Sequence, residues 1–171
     1  MIEKKKEIPY MPEGREFEYV SIENPFMQEA KKASKELSTD KKHPTGAVIV
    51  KNNQVIVRWA NQSLLKNDSL LKIHQKGVCT RKLLHIPSGQ KYWLCPGCSA
   101  PAKHAESGSV IKARKEGIDT NGADMYLWGH WWCCHPCWDE IIKGGIKKVY
   151  LLEGADVDFD RDNPQNKIGI F

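Results

Sequence analysis

The sequence predicts an α/β fold, a three-layer α/β/α sandwich in which helices cover both faces of a mixed β-sheet. Residues 46–60 indicate an antiparallel β-hairpin, because two β-branched runs flank the pair Asn52-Asn53, which tolerates the positive φ of a tight turn. Residues 104–152 alternate two helix patterns with two strand patterns. Since a strand–helix–strand unit forms a right-handed crossover, we expect its strands to be parallel, and the sheet then combines both pairings.

Length and composition indicate one soluble domain that spans residues 1–171. No apolar run approaches the ~20 residues that cross a bilayer. The charged N-terminus is not followed by an apolar segment, so we expect a cytoplasmic protein without membrane contact. The net charge of +5 suits an anionic substrate or nucleic acid, and a well-solvated lysine surface explains it equally well.

The first elements should be an arm, a helix and the hairpin. Residues 1–23 carry charges, two prolines and no sustained period, and are predicted to form an irregular arm. Asn24-Pro25 then begins a helix, as an N-cap followed by a proline at the first helical position, and apolar residues continue at helical spacing to about Ser38. Asn61 ends the second strand of the hairpin, and its type alone favours a turn residue.

Residues 62–103 have weak periodicity and are predicted to form an inserted segment, with a short helix within residues 63–72. A long irregular segment inside a compact domain needs something to fix it, and a metal ion would do so. In a reducing compartment, close cysteine pairs with histidines nearby indicate a metal site rather than disulfides. The predicted ligands of a closed, structural Cys₃His zinc site are Cys79, Cys95, Cys98 and either His74 or His85. The alternative is a set of free cysteines in a long loop.

The second half of the chain alternates helices and strands. The predicted helices cover residues 104–116 and a segment from Cys134 or His135 to the pair Gly144-Gly145, and the predicted strands cover residues 123–128 and 146–152. The tail, residues 153–171, has no assigned role beyond packing a sheet edge or making an oligomer contact.

Catalytic chemistry is indicated by His104-x-Glu106 and Cys134-x-x-Cys137, each of which falls where a helix is predicted to begin. His104, Cys134 and Cys137 supply three zinc ligands, and catalytic zinc sites keep three protein ligands and leave the fourth position to water. Helix N-termini lower thiolate pKa values, which favours the ligand form of the cysteines. Zinc lowers the pKa of its water toward ~7, so a hydroxide nucleophile is available at neutral pH. Glu106 lies beside that water and shuttles its proton to the substrate and to the leaving amine.

His104-Ala105-Glu106 with Cys134-x-x-Cys137 resembles the zinc-dependent cytidine and deoxycytidylate deaminase superfamily, whose signature it reproduces. The likeness extends to Phe26-Met27, Gly46-Ala47-Val48-Ile49-Val50, Asn61 and Gly145-Ile146-Lys147-Lys148-Val149. Within the superfamily, Gly77-Val78-Cys79-Thr80-Arg81 and the cysteines that precede His104 are most similar to the deoxycytidylate deaminase branch.

The resemblance implies a cytidine deaminase-like fold and hydrolytic deamination of a cytosine deoxynucleotide, dCMP, to the uracil product and ammonia. It also implies that His104, Cys134 and Cys137 bind the catalytic zinc, with Glu106 as the proton shuttle. Further implied features are a homo-oligomer and, as an open question, Mg²⁺ with a nucleotide effector. The substrate contacts that it implies are Asn61, Ala105 and Trp131.

Three residues depart from this family's pattern: Cys133 stands where a proline is usual, Gly108 where the deoxycytidylate branch has asparagine, and Trp131 lies in an atypical lead-in to the cysteines. Trp131 resembles the tryptophan of polynucleotide cytosine deaminases, so deamination of cytosine or adenosine in single-stranded nucleic acid is the alternative activity. A non-enzymatic alternative is a zinc-stabilised nucleic-acid-binding module, in which Glu106 would have no purpose. Arg81, Lys82 and Lys103 are the candidates for a phosphate contact.

Overall fold

A computed structural model describes residues 6–87, 90–95 and 97–170 and contains a mixed β-sheet in the strand order β1-β5-β4-β2-β3. The strands are β1 (Phe17–Val20), β2 (Gly46–Lys51), β3 (Gln54–Ala60), β4 (Asp124–Trp128) and β5 (Lys148–Leu152). The helices are α1 (Pro25–Leu37), α2 (Asp68–Gln75), α3 (Thr80–Leu83), α4 (Ala105–Lys115), α5 (His135–Lys143) and α6 (Ala155–Asp158), with 3₁₀ turns at Tyr92–Leu94 and Pro101–Lys103.

Both kinds of strand pairing predicted from the sequence are present. Strand β2 pairs antiparallel with β3 and with β4, whereas β5 pairs parallel with β4 and with β1. Asn52 and Asn53 form the turn between β2 and β3 with φ values of 51° and 60°, and a two-residue hairpin turn of type I′ requires a positive φ at both residues. The predicted α/β class with a mixed sheet is confirmed.

Helices α1 and α4 cover opposite faces of the sheet. Gly46 of β2 lies against α1, where a Cβ atom would collide with the Ala30 carbonyl, and its strand partner is Ala60. Partners across a strand pair point to one face and neighbours along a strand to opposite faces. Trp59, next to Ala60, therefore points to the other face, where it contacts Gly108 of α4. The layers are thus helix, sheet and helix.

The ends of the helices follow from local sequence. The side chain of Asn24 accepts hydrogen bonds from the backbone N–H groups of Phe26 and Met27 and caps α1, as predicted. Cys134 is the N-cap residue of α5 and His104 that of α4, so both predicted starts are correct. The core between the sheet and these helices includes the fully buried Trp138 and Leu127. None of the helices in the described part of the chain has the length and apolar character needed to cross a membrane.

The prediction of an irregular arm over residues 1–23 was wrong in one part. Residues 17–20 form β1, which pairs in parallel with β5 and places Phe17 opposite Val149 in the core. A four-residue edge strand has too short a pattern to be recognised locally, and its pairing depends on a segment about 130 residues away. Residues 1–5 lie outside the described part.

The inserted segment, residues 62–103, folds differently from the short helix predicted within residues 63–72. Helix α2 begins at Asp68 because the Asn67 side chain caps it and accepts from the N–H groups of Ser69 and Leu70. Apolar side chains along the segment are largely exposed, and among its described residues those buried are mostly polar or metal-binding in type: Ser63, His74, Cys79, Arg81, Tyr92, Cys95, Gly97 and Ser99. The segment therefore lacks an apolar core that would fold it.

Candidate metal centre and active site

Helices α4 and α5 bring three predicted ligands together into one group, called here the catalytic centre: His104, Cys134 and Cys137. The Nδ1 atom of His104 lies 3.6 Å from the Cys134 sulfur and 3.4 Å from the Cys137 sulfur, and the sulfurs are 3.4 Å apart. Tetrahedral zinc with ordinary bond lengths requires N···S and S···S separations of about 3.5 and about 3.8 Å. The donor set and its spacing therefore fit zinc with one position left open.

Of these three groups, Cys134 has a pKa shifted toward the deprotonated form that binds a metal. The Cys137 thiol hydrogen-bonds to Cys134 and holds the pKa of Cys134 down at about 5, whereas that bond and burial raise the pKa of Cys137. Burial lowers the pKa of His104, but the hydrogen bond to Cys134 and the nearby negative charges outweigh it and raise that pKa. The Nε2–H of His104 donates to the Ser99 carbonyl at 3.1 Å, which leaves Nδ1 facing the two sulfurs as a ligand.

Glu106 lies on the first turn of α4 with only 3% of its surface exposed. Burial is the main reason that its pKa is raised, and the negative charge on Cys134 adds to the effect. The thiol of Cys133 donates a hydrogen bond to this carboxylate and is itself fully buried, which raises the pKa of the thiol. A carboxyl group that gains a proton more readily than usual suits alternating proton acceptance and donation.

A cavity of about 360 Å³ opens beside the catalytic centre, and His104, Ala105 and Glu106 form part of its wall. This volume lies in the range of small-molecule sites. The wall also contains four cationic side chains, two carboxylates and two further histidines: Lys42, Arg81, Lys82, Arg161, Asp40, Asp162, His43 and His130. Burial, followed by the charge of Arg161, lowers the pKa of His43 to about 2 and that of His130 to about 3, so both rings are neutral.

A second group of metal-binding side chains, the Cys₃His cluster, consists of His74, Cys79, Cys95 and Cys98. The Cys79 and Cys98 sulfurs are 3.6 Å apart, and the Cys95 sulfur lies 3.4 Å from Nδ1 of His74. These separations and the four-ligand set fit a closed zinc site. His74, Cys79 and Cys98 also line the cavity, so the cluster lies beside the active site.

The choice between the two histidines is decided by position. The ring of His74 packs on Gly97, where a Cβ atom would collide with the imidazole, whereas His85 is exposed at a φ of 51° and lies outside the cluster. All six cysteines are free, so the close cysteine pairs are not disulfides. Burial raises the pKa of Cys98 to about 12. Burial would also raise the pKa of Cys79, but hydrogen bonds from the backbone N–H of Lys82 and from neighbouring thiols outweigh it, so the pKa of Cys79 is lowered.

Sequence comparison relates this architecture to known proteins. Residues 20–153, most of the chain, match the family described as the cytidine and deoxycytidylate deaminase zinc-binding region. The chain belongs to this deaminase family. The resemblance inferred from the motifs is therefore confirmed at the level of the family.

Individual relatives are more distant. ComE operon protein 2 of Bacillus subtilis is 40% identical over 50 residues, which is 29% of this chain and only 25% of that protein. A dCMP deaminase from the cyanophage S-TIM5, solved with dCMP and dUMP, has 20% identity and a TM-score of 0.46 over 77% of this chain and 82% of its own. A bifunctional deaminase/reductase from Thermotoga maritima has 24% identity and a TM-score of 0.43 over 74% of this chain and 28% of its own. These likenesses leave the substrate open.

Within the deaminase domain, the predicted substrate contact Asn61 lies on the cavity wall and also organises it. Its Oδ1 accepts hydrogen bonds from Ser38 Oγ at 2.6 Å and from the Thr45 N–H at 2.9 Å, and its Nδ2 donates to the His43 carbonyl at 2.9 Å. An asparagine amide has two hydrogens to donate, so one is left for a ligand. Ala105 also lines the cavity, as expected of a substrate contact.

Trp131 occupies a different position from the one predicted. Its ring is 7% exposed and belongs to the core, and the cavity wall contains the preceding residue, His130. Of the three residues considered for a phosphate contact, Arg81 and Lys82 line the cavity, Arg81 with only 7% of its surface exposed, and Lys103 lies off the cavity wall. Arg161 was missed because it lies in a polar tail without a motif, and only the fold of α6 and the residues after it brings it to the cavity.

Proposed function

We propose that the protein is a hydrolytic deaminase that converts dCMP to dUMP and ammonia. The observation that carries the proposal is the buried Glu106 carboxylate beside a three-ligand zinc-type centre on the wall of a cavity with cationic side chains. Zinc held by His104, Cys134 and Cys137 would supply a Lewis acid and an acidic water at the open position. The segment at residues 77–81, which resembles the deoxycytidylate branch, supports the choice of substrate.

The proton transfers fall to Glu106. The carboxylate accepts a proton from the attacking water and delivers it to the ring nitrogen of cytosine; a further transfer to the exocyclic amine lets ammonia leave. Overall, water replaces the amine at C4, and the proton count is balanced. The hydrogen bond from Cys133 holds the carboxylate in place, and the low exposure of the site excludes competing bulk water.

The phosphate would be bound by the cationic wall. Arg161 and Lys42 lie near the neutral rings of His43 and His130, and these rings can donate hydrogen bonds without adding charge. The remaining amide hydrogen of Asn61 is available to the sugar or base. Such a wall favours a monophosphate over an uncharged nucleoside.

The test compares kcat/KM of the zinc-loaded protein for dCMP, deoxycytidine, dCTP and a short cytosine-containing single-stranded oligonucleotide, with turnover measured as the ammonia released. We expect dCMP to be the best substrate. Turnover confined to adenine or guanine compounds, included as controls, would refute the choice of cytosine. Faster turnover of the oligonucleotide would favour the second candidate function.

That second candidate, deamination in single-stranded nucleic acid, is favoured by the charge of the insert. Residues 62–103 contain six lysines, one arginine and one aspartate, a net charge of +6, whereas the whole chain carries +5. Trp93 of the insert is 75% exposed, and exposed aromatic rings among basic residues stack bases in single-strand binders. The insert borders the cavity through Lys82.

We propose further that the Cys₃His cluster binds a structural zinc, so that a loaded chain holds two zinc ions. A homo-oligomer, a cytoplasmic location and regulation by a nucleotide with Mg²⁺ stay predictions from the family resemblance and from the free cysteines. Metal analysis tests the zinc proposal directly, with two zinc ions per chain as the expected result.

A further inference from the structure

We infer that Arg81 and Tyr92 are positioning residues that join the two metal centres. In this arrangement they hold the imidazole of His104 in its metal-binding orientation, and they do so only while the Cys₃His cluster is intact. The inference rests on the proposed zinc sites and is independent of the substrate.

The first contact joins the cluster to Arg81. The Nη1 atom of Arg81 lies 3.7 Å from the Cys98 sulfur and donates to it. The rest of the guanidinium is fixed by backbone carbonyls, because Nε donates to Gln90 at 3.0 Å and Nη2 to Pro87 at 2.6 Å. Arg81 is only 7% exposed.

Charge explains why an arginine is buried here. Zinc bound by three thiolates and a neutral imidazole has a net charge of about −1, which a guanidinium beside Cys98 neutralises. Removal of a ligand thiolate, as in Cys95→Ser, would take away part of this counter-charge, and a buried cation without compensation is costly.

The second contact joins Arg81 to His104 through Tyr92. The guanidinium carbon of Arg81 lies 3.9 Å from the centre of the Tyr92 ring, a cation–π contact. The same ring meets the imidazole of His104 edge-on, with ring centres 5.0 Å apart and planes at 78°. Tyr92 is therefore held between Arg81 and His104, and its carbonyl accepts from the N–H of Cys95 at 3.1 Å.

A backbone connection runs beside this stack. Ser99 follows Cys98 directly, and its carbonyl accepts the Nε2–H of His104. The ring of His104 is thus oriented at Nε2 by Ser99 and on its side by Tyr92, and both residues lie within three positions of a cluster cysteine. Groups that orient a ligand histidine in this way change metal affinity by about 10–100-fold when they are removed.

The experiment measures metal affinity, not turnover. Zinc binding to the catalytic centre is determined by chelator competition for wild type, Tyr92→Leu, Tyr92→Phe and Cys95→Ser, and the cobalt-substituted proteins are compared by absorption. The Cys134→Ser protein, which keeps the three-thiolate Cys₃His cluster, shows which cobalt absorption bands belong to that cluster and which to the catalytic centre. We expect Tyr92→Leu and Cys95→Ser each to weaken binding at the catalytic centre about 10–100-fold and to alter its cobalt spectrum. Tyr92→Phe keeps the aromatic ring, so its zinc affinity and cobalt spectrum at the catalytic centre should match those of wild type.

The double variant Tyr92→Leu/Cys95→Ser separates coupling from two unrelated defects. One shared connection predicts that the combined loss of affinity is smaller than the product of the single losses. Wild-type zinc affinity and an unchanged cobalt spectrum at the catalytic centre of Tyr92→Leu would overturn the inference. This variant keeps all seven ligands, so the test remains decisive even if Cys95→Ser does not fold. A failure of the proposed deamination would leave these results unaffected.

Discussion

The indole ring of Trp59 fills the space that a side chain at position 108 would need. A Cβ atom on Gly108 would collide with Nε1 of Trp59, and this nitrogen is buried and makes no hydrogen bond among the described residues. Gly108 is the position where the deoxycytidylate branch usually has asparagine. The tryptophan of β3 and the glycine of α4 therefore form a matched pair in place of that asparagine.

This pair predicts the effect of restoring the asparagine. Gly108→Asn should destabilise the protein by about 1–3 kcal/mol, because overpacking forces Trp59 and α4 apart. In a Trp59→Leu background the same change should cost much less, since the space is then free. Urea unfolding of the four proteins measures both costs, and an equal cost in the two backgrounds would show that Trp59 is not the obstacle.

The histidine ligand of the second centre is tested by a matched pair of variants. His74→Ala should bind about one zinc fewer per chain than wild type, because it removes a ligand of the Cys₃His cluster. His85→Ala should keep the wild-type zinc content, since His85 is exposed and lies outside the cluster. The reverse pattern in metal analysis would assign the site to His85 and contradict the geometry.

Arg161 should determine the preference for a phosphorylated substrate. Arg161→Ala removes a charged hydrogen-bond donor worth ~1.5–3 kcal/mol, so kcat/KM for dCMP should fall about 10–100-fold. Turnover of deoxycytidine should change little. Lys167→Ala is the control, because Lys167 lies in the same tail and pairs with Asp158. An equal loss on both substrates would show that Arg161 acts elsewhere than at the phosphate.

His43, a partly buried ring with a lowered pKa, predicts a loss of stability in mild acid. Its pKa is about 2 in the folded protein against 6.5 as a free group, so between these values the unfolded chain binds a proton that the folded chain does not. Stability is therefore highest above pH 6.5 and falls as the pH falls, by up to ~1.4 kcal/mol per pH unit. Urea unfolding at several pH values, with zinc present, should give His43→Gln a shallower slope than wild type.

Protonation of the metal ligands also destabilises the fold in acid, but it affects His43→Gln and wild type alike and cancels in their difference. His85→Asn serves as an exposed control, and asparagine tolerates the positive φ at that position. A His43→Gln slope equal to that of wild type would mean that the folded protein does not hold the His43 ring neutral.

The parts of the fold that were predicted from sequence are those with a local cause. The Asn52-Asn53 turn, the Asn24 cap and the starts of α4 and α5 each depend on a few neighbouring residues, and so do the spacings of His104, Glu106, Cys134 and Cys137. The parts that were missed depend on distant pairing. Strand β1 exists only beside β5, and Arg161 reaches the cavity only through the fold of the tail.

The Cys₃His cluster and the substrate contacts were predicted only in part from the sequence. The sequence supplied the three cysteines but left two histidines open, and only the packing of His74 on Gly97 separates them. Trp131 has the residue type of a base-stacking group, yet the strand end before it turns its ring into the core and presents His130 to the cavity. The direction of a side chain in a loop depends on tertiary packing, so residue type alone does not predict it.

The central claim is that Glu106 moves protons for a zinc-dependent deamination, and dCMP turnover by Glu106→Gln tests it most directly. Glutamine keeps the size of the side chain and cannot accept the proton, so kcat should fall by at least ~10²–10⁴. Zinc content and the free energy of unfolding should stay close to wild type, since Glu106 is not a ligand. A Glu106→Gln protein that deaminates dCMP at the wild-type rate with its zinc in place would contradict the account.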